Sequence, residues 1–130
     1  MLVQLNRQLR REAHPLGVTG GQVSLLVAIR ESPGIGVREL AAREGISPAG
    51  MSGHVRRLER AGLVERTRGA RGDRRRVGLE VTEKAQNVLR QVRSRRTAWL
   101  AARLRRLEPE QLAAIDGAVE PLAALLGDER

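Results

Sequence analysis

A change of hydrophobic period between Val37 and Thr82 constrains the fold more than any other feature of the sequence. Up to Gly62, apolar residues recur every three or four positions, as they do on the buried face of a helix. From Leu63 onward they tend to alternate with polar residues, on both sides of an arginine-rich segment that reads GARGDRRR. The sequence therefore predicts two short helices followed by a two-stranded hairpin whose tip is positively charged.

A tight turn is predicted to join the two helices. The first helix begins near Val37 and ends at Gly45, because glycine can adopt the left-handed conformation that reverses the chain. Ser47 caps the second helix, and Pro48 occupies its first position, where a missing N–H costs nothing. The residues expected to face inward are Leu40, Ala41, Ile46, Met51, Val55 and Leu58. This spacing is typical of a helix-turn-helix.

The outer face of the second helix carries small residues at its start and arginines further along. Small side chains let the backbone approach the wall of a DNA groove, and arginines reach phosphates. The residues on this face are Ala49, Ser52, Gly53, Arg56, Arg57 and Arg60. On this motif alone, an ordinary helical hairpin with a solvated charged face is the alternative. His54, on the same helix, is either half-buried or facing DNA.

The hairpin tip favours nucleic acid over that alternative. Arginines on a narrow protrusion have little packing purpose, whereas the negative potential of a minor groove attracts them. Asp73 lies among these arginines, and its carboxylate can hold a neighbouring arginine in a bidentate pair. The sequence therefore predicts a winged helix-turn-helix over residues 17–82, with the helix-turn-helix at about 37–61 and the DNA-contacting wing at about 63–81.

The charge balance supports a polyanionic partner. Lysine and arginine number 24 against 15 acids, a formal net charge of +9, and Lys84 is the only lysine. Nucleic acid is the simplest partner for such a chain, although a basic surface that serves solubility in an arginine-favouring genome is the alternative. Trp99 is the only aromatic residue, so stacking of single-stranded bases on aromatic platforms is not expected.

Several other functions lack the residues that they need. The chain has no cysteine, which excludes disulfides, thiolate metal sites and thiol-based redox sensing. His14 and His54 are too isolated to form a metal site. No nucleophile is paired with a base and no glycine-rich phosphate loop is present, so we expect neither an enzyme nor a cofactor. No apolar run indicates a membrane span or a signal segment, so we expect a cytoplasmic, nucleoid-associated protein without membrane contact.

Helices are also predicted on both sides of the winged motif, over residues 1–16 and 83–130. The first helix carries leucines on one face and extends as far as His14. The next helix lies within the predicted winged motif. It opens at Thr19, with Gln22 as its capping-box partner. Its broad apolar stripe predicts a place at the centre of the core.

The segment after Thr82 is expected to form a long fifth helix, with one apolar stripe over about seven turns. A sixth helix should begin at Glu108 and Pro109, and Pro121 should kink or split it. The flanking helices expose enough apolar surface to predict that the 130 residues form one unit that pairs with a second copy; packing within the chain alone is the alternative. The expected dimer interface consists of Leu2, Leu5, Leu9, Trp99, Leu100, Leu104, Leu112, Ile115, Leu122 and Leu126.

The order of these elements resembles the MarR family of bacterial winged-helix regulators. The family's wing carries Asp-x-Arg, then alternating apolar residues, then Leu-Thr-x-x-Gly. In the segment GDRRRVGLEVTEKA, Asp73, Arg75 and Thr82 match this pattern, whereas Val81 stands for the leucine and Ala85 for the glycine. The segment SPAGMSGHVRRLERAGLVER likewise resembles the family's recognition helix and first wing strand. The resemblance covers nearly the whole chain.

The resemblance implies an α+β fold, mostly helical with a small β-hairpin wing, in which the flanking helices form a dimer. It implies that Arg75 is the minor-groove arginine and Asp73 its organiser, that Ser52 and Gly53 face bases, and that Arg57 faces phosphate. Relatives often have a long polar or basic residue at the position of Gly53, so we expect specificity to depend more on DNA shape and on the wing. The residues expected to contact DNA are Arg38, Ser47, Pro48, Ala49, Ser52, Gly53, His54, Arg56, Arg57, Asp73, Arg74, Arg75 and Arg76.

The family's effector cleft opens between the dimerisation and DNA-binding parts, near His14. Arg10, His14, Gln22 and Arg90 are the candidates to line an anion-binding pocket there, although a structural or solvent-exposed role is the alternative for His14. The resulting hypothesis is a homodimeric regulator that acts as a repressor at a palindromic operator. A small aromatic or anionic effector would relieve the repression. The alternatives are an architectural or nucleoid-type DNA binder with little sequence preference and, more distantly, an adaptor that uses the winged helix for protein contacts.

Overall fold

Six α-helices and one antiparallel hairpin make up the regular structure in a computed structural model that describes residues 1–69 and 72–127. The elements are α1 (Leu2–Arg11), α2 (Gly20–Glu31), α3 (Val37–Glu44), α4 (Pro48–Arg60), β1 (Val64–Arg68), β2 (Val77–Val81), α5 (Glu83–Leu104) and α6 (Pro109–Ala124). A 3-10 turn (His14–Leu16) separates α1 from α2. The expected class, mostly helical with a small β-hairpin, is confirmed.

The chain divides into two compact units, Met1–Arg96 and Thr97–Arg130. The first unit contains the core, in which α2, α3, α4, the hairpin and the first part of α5 bury apolar side chains together. Its largest fully buried side chains are Leu26, Ile29, Ile35, Leu40, Met51, Leu58, Leu79, Val55 and Val92. The inward stripe predicted for the second helix of the motif is therefore confirmed, and no buried polar side chain interrupts this core within the described ranges.

The turn between α3 and α4 has the predicted chemistry. Gly45 ends α3 with φ of 65°, in the left-handed region, and the next N–H, of Ile46, bonds to the carbonyl of Ala41 at 3.0 Å. Ser47 caps α4, because its hydroxyl accepts a hydrogen bond from the N–H of Gly50 at 3.1 Å. These local bonds fix the angle at which α4 leaves the turn.

Two other helix starts follow the sequence signals. Thr19 and Gln22 form a reciprocal capping box at α2, with bonds of 2.9 and 3.0 Å. Thr82 caps α5 by accepting from the N–H of Ala85, and its own hydroxyl donates to the carbonyl of Gly62. The start of α5 is therefore joined directly to the turn that follows α4.

The hairpin is anchored to the core through its second strand. Residues pair in register from Val64 with Val81 to Arg68 with Val77. The isolated bridge from Ile35 to Leu79 adds the segment before α3 to this sheet. Val77 is exposed although Leu79, on the same face of β2, is buried, because the wing projects beyond the edge of the core.

Two helix ends and one predicted helix break differ from the sequence prediction. The first helix ends at Arg11 instead of His14, because a residue that precedes a proline is disfavoured in the α conformation. The fifth, expected to run for about seven turns, ends at Leu104 after 22 residues, or roughly six turns. The sixth is not split at Pro121, because this proline lies in the last turn, where its missing N–H costs only one bond near the end.

The second unit contains the end of α5 and all of α6. Glu108 and Gln111 form a capping box at the predicted start of α6, and the N–H of Glu108 bonds to the side chain of Gln111 at 3.0 Å. No residue of α6 is buried, and Ile115 and Leu126 expose 45% and 63% of their surface. None of the described helices is long and apolar enough to cross a membrane.

Replacement of Gly45 by alanine tests the turn. An L side chain in the left-handed conformation costs about 1–2 kcal/mol, so Gly45→Ala should lower the free energy of unfolding by that amount in urea denaturation. Gly53→Ala is the matched control, because Gly53 lies inside α4 with open space around it. This control should raise the free energy of unfolding by up to about 1 kcal/mol. Equal effects of the two substitutions would contradict the geometry of the turn.

Candidate nucleic-acid interface

The helix α4 presents one face to the core and the other to solvent. Its inward side chains are fully buried. Of the predicted contact residues, Ser47, Pro48, Ala49, Arg56 and Arg57 are exposed, while Ser52, Gly53 and His54 are half-buried. Arg38 is exposed in the first turn of α3. The predicted α4 residues therefore form a continuous surface from the cap to the last turn.

The two glycines of α4 have different structural roles. A Cβ at Gly50 would lie 3.0 Å from the Ser47 hydroxyl and 3.3 Å from a methyl group of Ile46. Glycine at this position therefore gives the cap and the turn room to close. A Cβ at Gly53 would meet no atom within 4 Å, so only Gly53 leaves open space that an approaching groove wall can use.

His54 orients Arg57, a contact that the sequence analysis did not predict. A guanidinium nitrogen of Arg57 lies 3.0 Å from Nδ1 of His54. A guanidinium can only donate, so Nδ1 is the acceptor in this contact. Because His54 is half-buried, it fixes one end of an otherwise exposed arginine.

Asp73 organises the wing tip through the backbone. Its carboxylate accepts from the N–H of Arg75 at 2.9 Å, and its carbonyl accepts from the N–H of Arg76 at 3.1 Å. The tip closes where Gly69 donates to the carbonyl of Arg76 at 3.1 Å. The expected bidentate pair between Asp73 and a guanidinium is not present in the described residues, because the nearest donor in this type of turn is the N–H two residues ahead.

The arginines of the tip differ in their partners. Arg74 and Arg75 are exposed and make no ion pair with any residue in 1–69 or 72–127. Arg76 lies 3.8 Å from a carboxylate oxygen of Glu39 on α3. Residues 70 and 71, also part of the predicted tip, are outside the described residues.

The base of the wing also has a side-chain link to α4. Nε of Arg66, on β1, lies 2.9 Å from a carboxylate oxygen of Glu59. Both side chains are more than a quarter exposed, so the pair contributes little stability by itself. The pair links β1 to the last turn of α4.

Three of the four predicted effector residues line two cavities at the start of α2. One cavity, of about 380 Å³, is lined by Arg10 and His14 together with Thr19. A second, of about 400 Å³, shares Arg10 and Thr19 and adds Gln22. Arg90 lines neither cavity; it donates a hydrogen bond to Asn87 on its own helix.

Two arginines of α5 that the sequence analysis did not single out hold the end of α1. Nε of Arg96 donates to the carbonyl of Leu9 at 3.0 Å, and Nε of Arg95 donates to the carbonyl of Glu12 at 3.2 Å. Burial and the neighbouring guanidinium of Arg10 lower the pKa of Arg96. Arg95 also pairs with the carboxylate of Glu12 at 3.2 Å. No local pattern of the sequence reveals these contacts, because they join residues more than 80 positions apart.

The side chains predicted to form a dimer interface lie at the surface of the single chain. Leu9, Trp99 and Leu104 are half-buried. The exposed members of the set are Leu2, Leu5, Leu100, Leu112, Ile115, Leu122 and Leu126. In the second unit, the guanidinium of Arg103 stacks on Trp99 at 3.9 Å from the ring centre.

Comparison with known proteins agrees with this geometry. The model of the MarR family matches residues 16–76. A protein from Pseudomonas aeruginosa PA01, assigned as a transcriptional regulator, is 29% identical with a TM-score of 0.79, and the match covers 99% of this chain and 89% of that one. A comparison with curated proteins finds no match.

Two more distant structures share the fold. A MarR family protein from Bacillus stearothermophilus is 23% identical with a TM-score of 0.78, over 96% of this chain and 86% of that one. A mutant of MepR from S. aureus, bound to an oligodeoxyribonucleotide, is 18% identical with a TM-score of 0.72, over 95% and 90%. The matched residues span most of the winged helix, and the structural matches extend over the flanking helices, so this chain has the winged-helix fold of the MarR family of transcriptional regulators.

Proposed function

We propose that the protein is a homodimeric, sequence-specific DNA-binding regulator that represses a palindromic operator. The observation that carries the proposal is the wing tip, where Asp73 fixes the backbone while Arg74 and Arg75 stay exposed without ion pairs in the described chain. Such guanidiniums suit the negative potential of a minor groove. The MarR-type fold makes DNA-binding regulation the natural use of this tip. A regulator of this kind acts in the cytoplasm, at the nucleoid, and needs no cofactor or catalytic group.

In this proposal α4 lies in the major groove. Ser52 and Gly53 approach base edges, and Arg56 and Arg57 reach phosphates on either side. The contact of Arg57 with His54 supports this arrangement, because a guanidinium held at one end loses less conformational entropy on binding.

Dimerisation through the flanking helices would present two such surfaces to one duplex. The exposed apolar side chains of α6 support this, and so, separately, do those of α1, because contiguous exposed apolar surface marks an interaction site. A two-fold pair whose reading helices lie roughly 34 Å apart matches one turn of DNA and hence a palindromic operator.

A small anionic or aromatic effector would act at the cavities that Arg10 lines. Arg10 lies beside Arg96 and against the first turn of α2, where its side chain touches Gly20. Two guanidiniums near the positive end of a helix favour an anion. The effector would shift the population of dimers whose reading helices fit the operator.

The second candidate is an architectural DNA binder with little sequence preference. The small residues Ala49 and Gly53 on the outer face of α4 favour it, since they offer few groups that read base edges. The two candidates differ in the ratio of specific to non-specific affinity.

Selection of duplexes from fragmented genomic DNA tests the choice between them. The proposed regulator should enrich palindromic fragments and bind them at physiological salt at least roughly 10³-fold more tightly than a shuffled duplex of equal composition. Fluorescence anisotropy with both duplexes measures the ratio. A ratio near one would favour the architectural binder.

The substitution Arg75→Gln tests the wing. If Arg75 neutralises a phosphate-lined groove, its loss should weaken binding to the selected duplex and reduce the slope of log K against log salt by about one. Arg93→Gln is the control, because Arg93 is an exposed arginine of α5 outside the proposed interface. An unchanged slope for Arg75→Gln would contradict a minor-groove contact.

A charge on the apolar face of α6 tests dimerisation. Ile115→Glu should convert the dimer to monomer in sedimentation, because a carboxylate would be buried in the interface without a partner. Ala113→Glu adds the same charge to an exposed position on the other side of the helix and should leave the dimer intact. Dimers of the Ile115 variant as tight as those of the control would rule out this interface.

A further inference from the structure

We infer that Glu39 is a positioning residue for DNA recognition, and that its partner Arg76 orients the wing tip instead of contacting DNA. This inference rests on the proposed function, because it concerns how the same wing reaches the duplex. It changes the role predicted for Arg76, which the sequence analysis grouped with the contact residues Arg74 and Arg75.

The carboxylate of Glu39 lies between two arginines. One oxygen is 3.0 Å from a guanidinium nitrogen of Arg43, one turn along α3, and the other is 3.8 Å from Arg76. Arg43 in turn donates to the hydroxyl of Ser32 at 2.7 Å, in the turn before α3. The carboxylate therefore has a partner on its own helix and also faces the wing.

Arg76 is well placed to transmit that position to the tip. Its N–H donates to the carbonyl of Asp73, and its carbonyl accepts from Gly69, so its backbone touches both sides of the tip. A side chain that fixes Arg76 therefore also fixes the turn that presents Arg75.

The contact with Glu39 is the outermost anchor of the wing that the described residues contain. The backbone bridge to Ile35 is made at Leu79, and the pair with Glu59 is made at Arg66. Leu79 and Arg66 are partners in the sheet register, so both anchors act at one level of the hairpin.

The base of the hairpin is held further by buried Val64 and by the bond from the N–H of Thr82 to the carbonyl of Leu63. It is therefore the part beyond Leu79 that can pivot. Arg76 lies three residues farther out than Leu79, roughly 10 Å along an extended strand. A contact at that distance restrains the tip more effectively than a contact of equal strength at the base, because it acts farther from the point about which the hairpin would pivot. Both side chains of the pair are partly exposed, so the expected effect is on orientation more than on the stability of the fold.

The sign of the effect separates positioning from simple electrostatics. An acid near bound DNA repels phosphates, so its neutralisation should raise affinity. An acid that positions the wing has the opposite effect, because its neutralisation lets the arginine tip move away from the groove.

The test measures anisotropy of the wild-type protein and of E39Q, R76Q and the double variant, on the selected duplex and on its shuffled counterpart over a range of salt. E39Q and R76Q should each weaken binding to the selected duplex roughly two- to fivefold, the fold-change that corresponds to a partly exposed ion pair. The salt slope should stay that of the wild type, because no phosphate contact is lost. The double variant should bind no more weakly than either single variant, and binding to the shuffled duplex should change little.

Glu65→Gln is the matched control for the lost charge. Glu65 is an exposed acid on β1 that forms no ion pair with any described residue. Its neutralisation should leave affinity for the selected duplex unchanged or slightly higher. Urea denaturation of each variant establishes that it is folded under the binding conditions.

Three results would overturn the inference while the proposed function stands. The first is a gain of affinity for the selected duplex in E39Q. The others are a slope of log K against log salt that R76Q reduces by about one, as expected for Arg75→Gln, and losses of affinity that add in the double variant. A wild-type protein that binds both duplexes equally would instead refute sequence-specific recognition, and the inference with it.

Discussion

Two backbone hydrogen bonds join the wing to the helix-turn-helix, and the geometry of the candidate site depends on them. Gly34 donates to the carbonyl of Leu79 at 2.9 Å, and Leu79 donates to the carbonyl of Ile35 at 2.8 Å. The side chains of Ile35 and Leu79 are fully buried, so a backbone group left unpaired here would cost about 1–3 kcal/mol. The base of the hairpin is therefore part of the core, and the wing inherits its orientation from the segment that also starts α3.

Outside this anchor, the acids near the candidate interface are used for orientation. Asp73 binds a backbone N–H at the tip, Glu59 binds an arginine of β1, and Glu39 lies between arginines of α3 and the wing. In a chain with a net charge of +9, each of these carboxylates fixes the direction of a basic segment while its partner retains surface exposure. Exposed pairs of this kind add little stability, which leaves their geometry as their main contribution.

The parts of the fold that sequence reasoning predicted are those fixed by local chemistry. Gly45, Ser47 and the capping box at Thr19 are determined by bonds between residues at most a few positions apart, and their residue types identify them. The bridge between Ile35 and Leu79 and the bond from Arg96 to Leu9 join distant residues, so no local pattern reveals them. Contacts with DNA or a second copy depend on groups outside the chain, and residue patterns identify only candidates for them.

The placement of Trp99 determines what optical measurements on this protein can report. It is the only aromatic residue, and the guanidinium of Arg103 covers its ring. Near-ultraviolet absorbance and intrinsic fluorescence therefore originate from a single point in the second compact unit. The winged core contributes no chromophore, so its unfolding is optically silent in that range and is followed by far-ultraviolet circular dichroism or amide exchange. A difference between the two signals would measure how cooperatively the two units unfold.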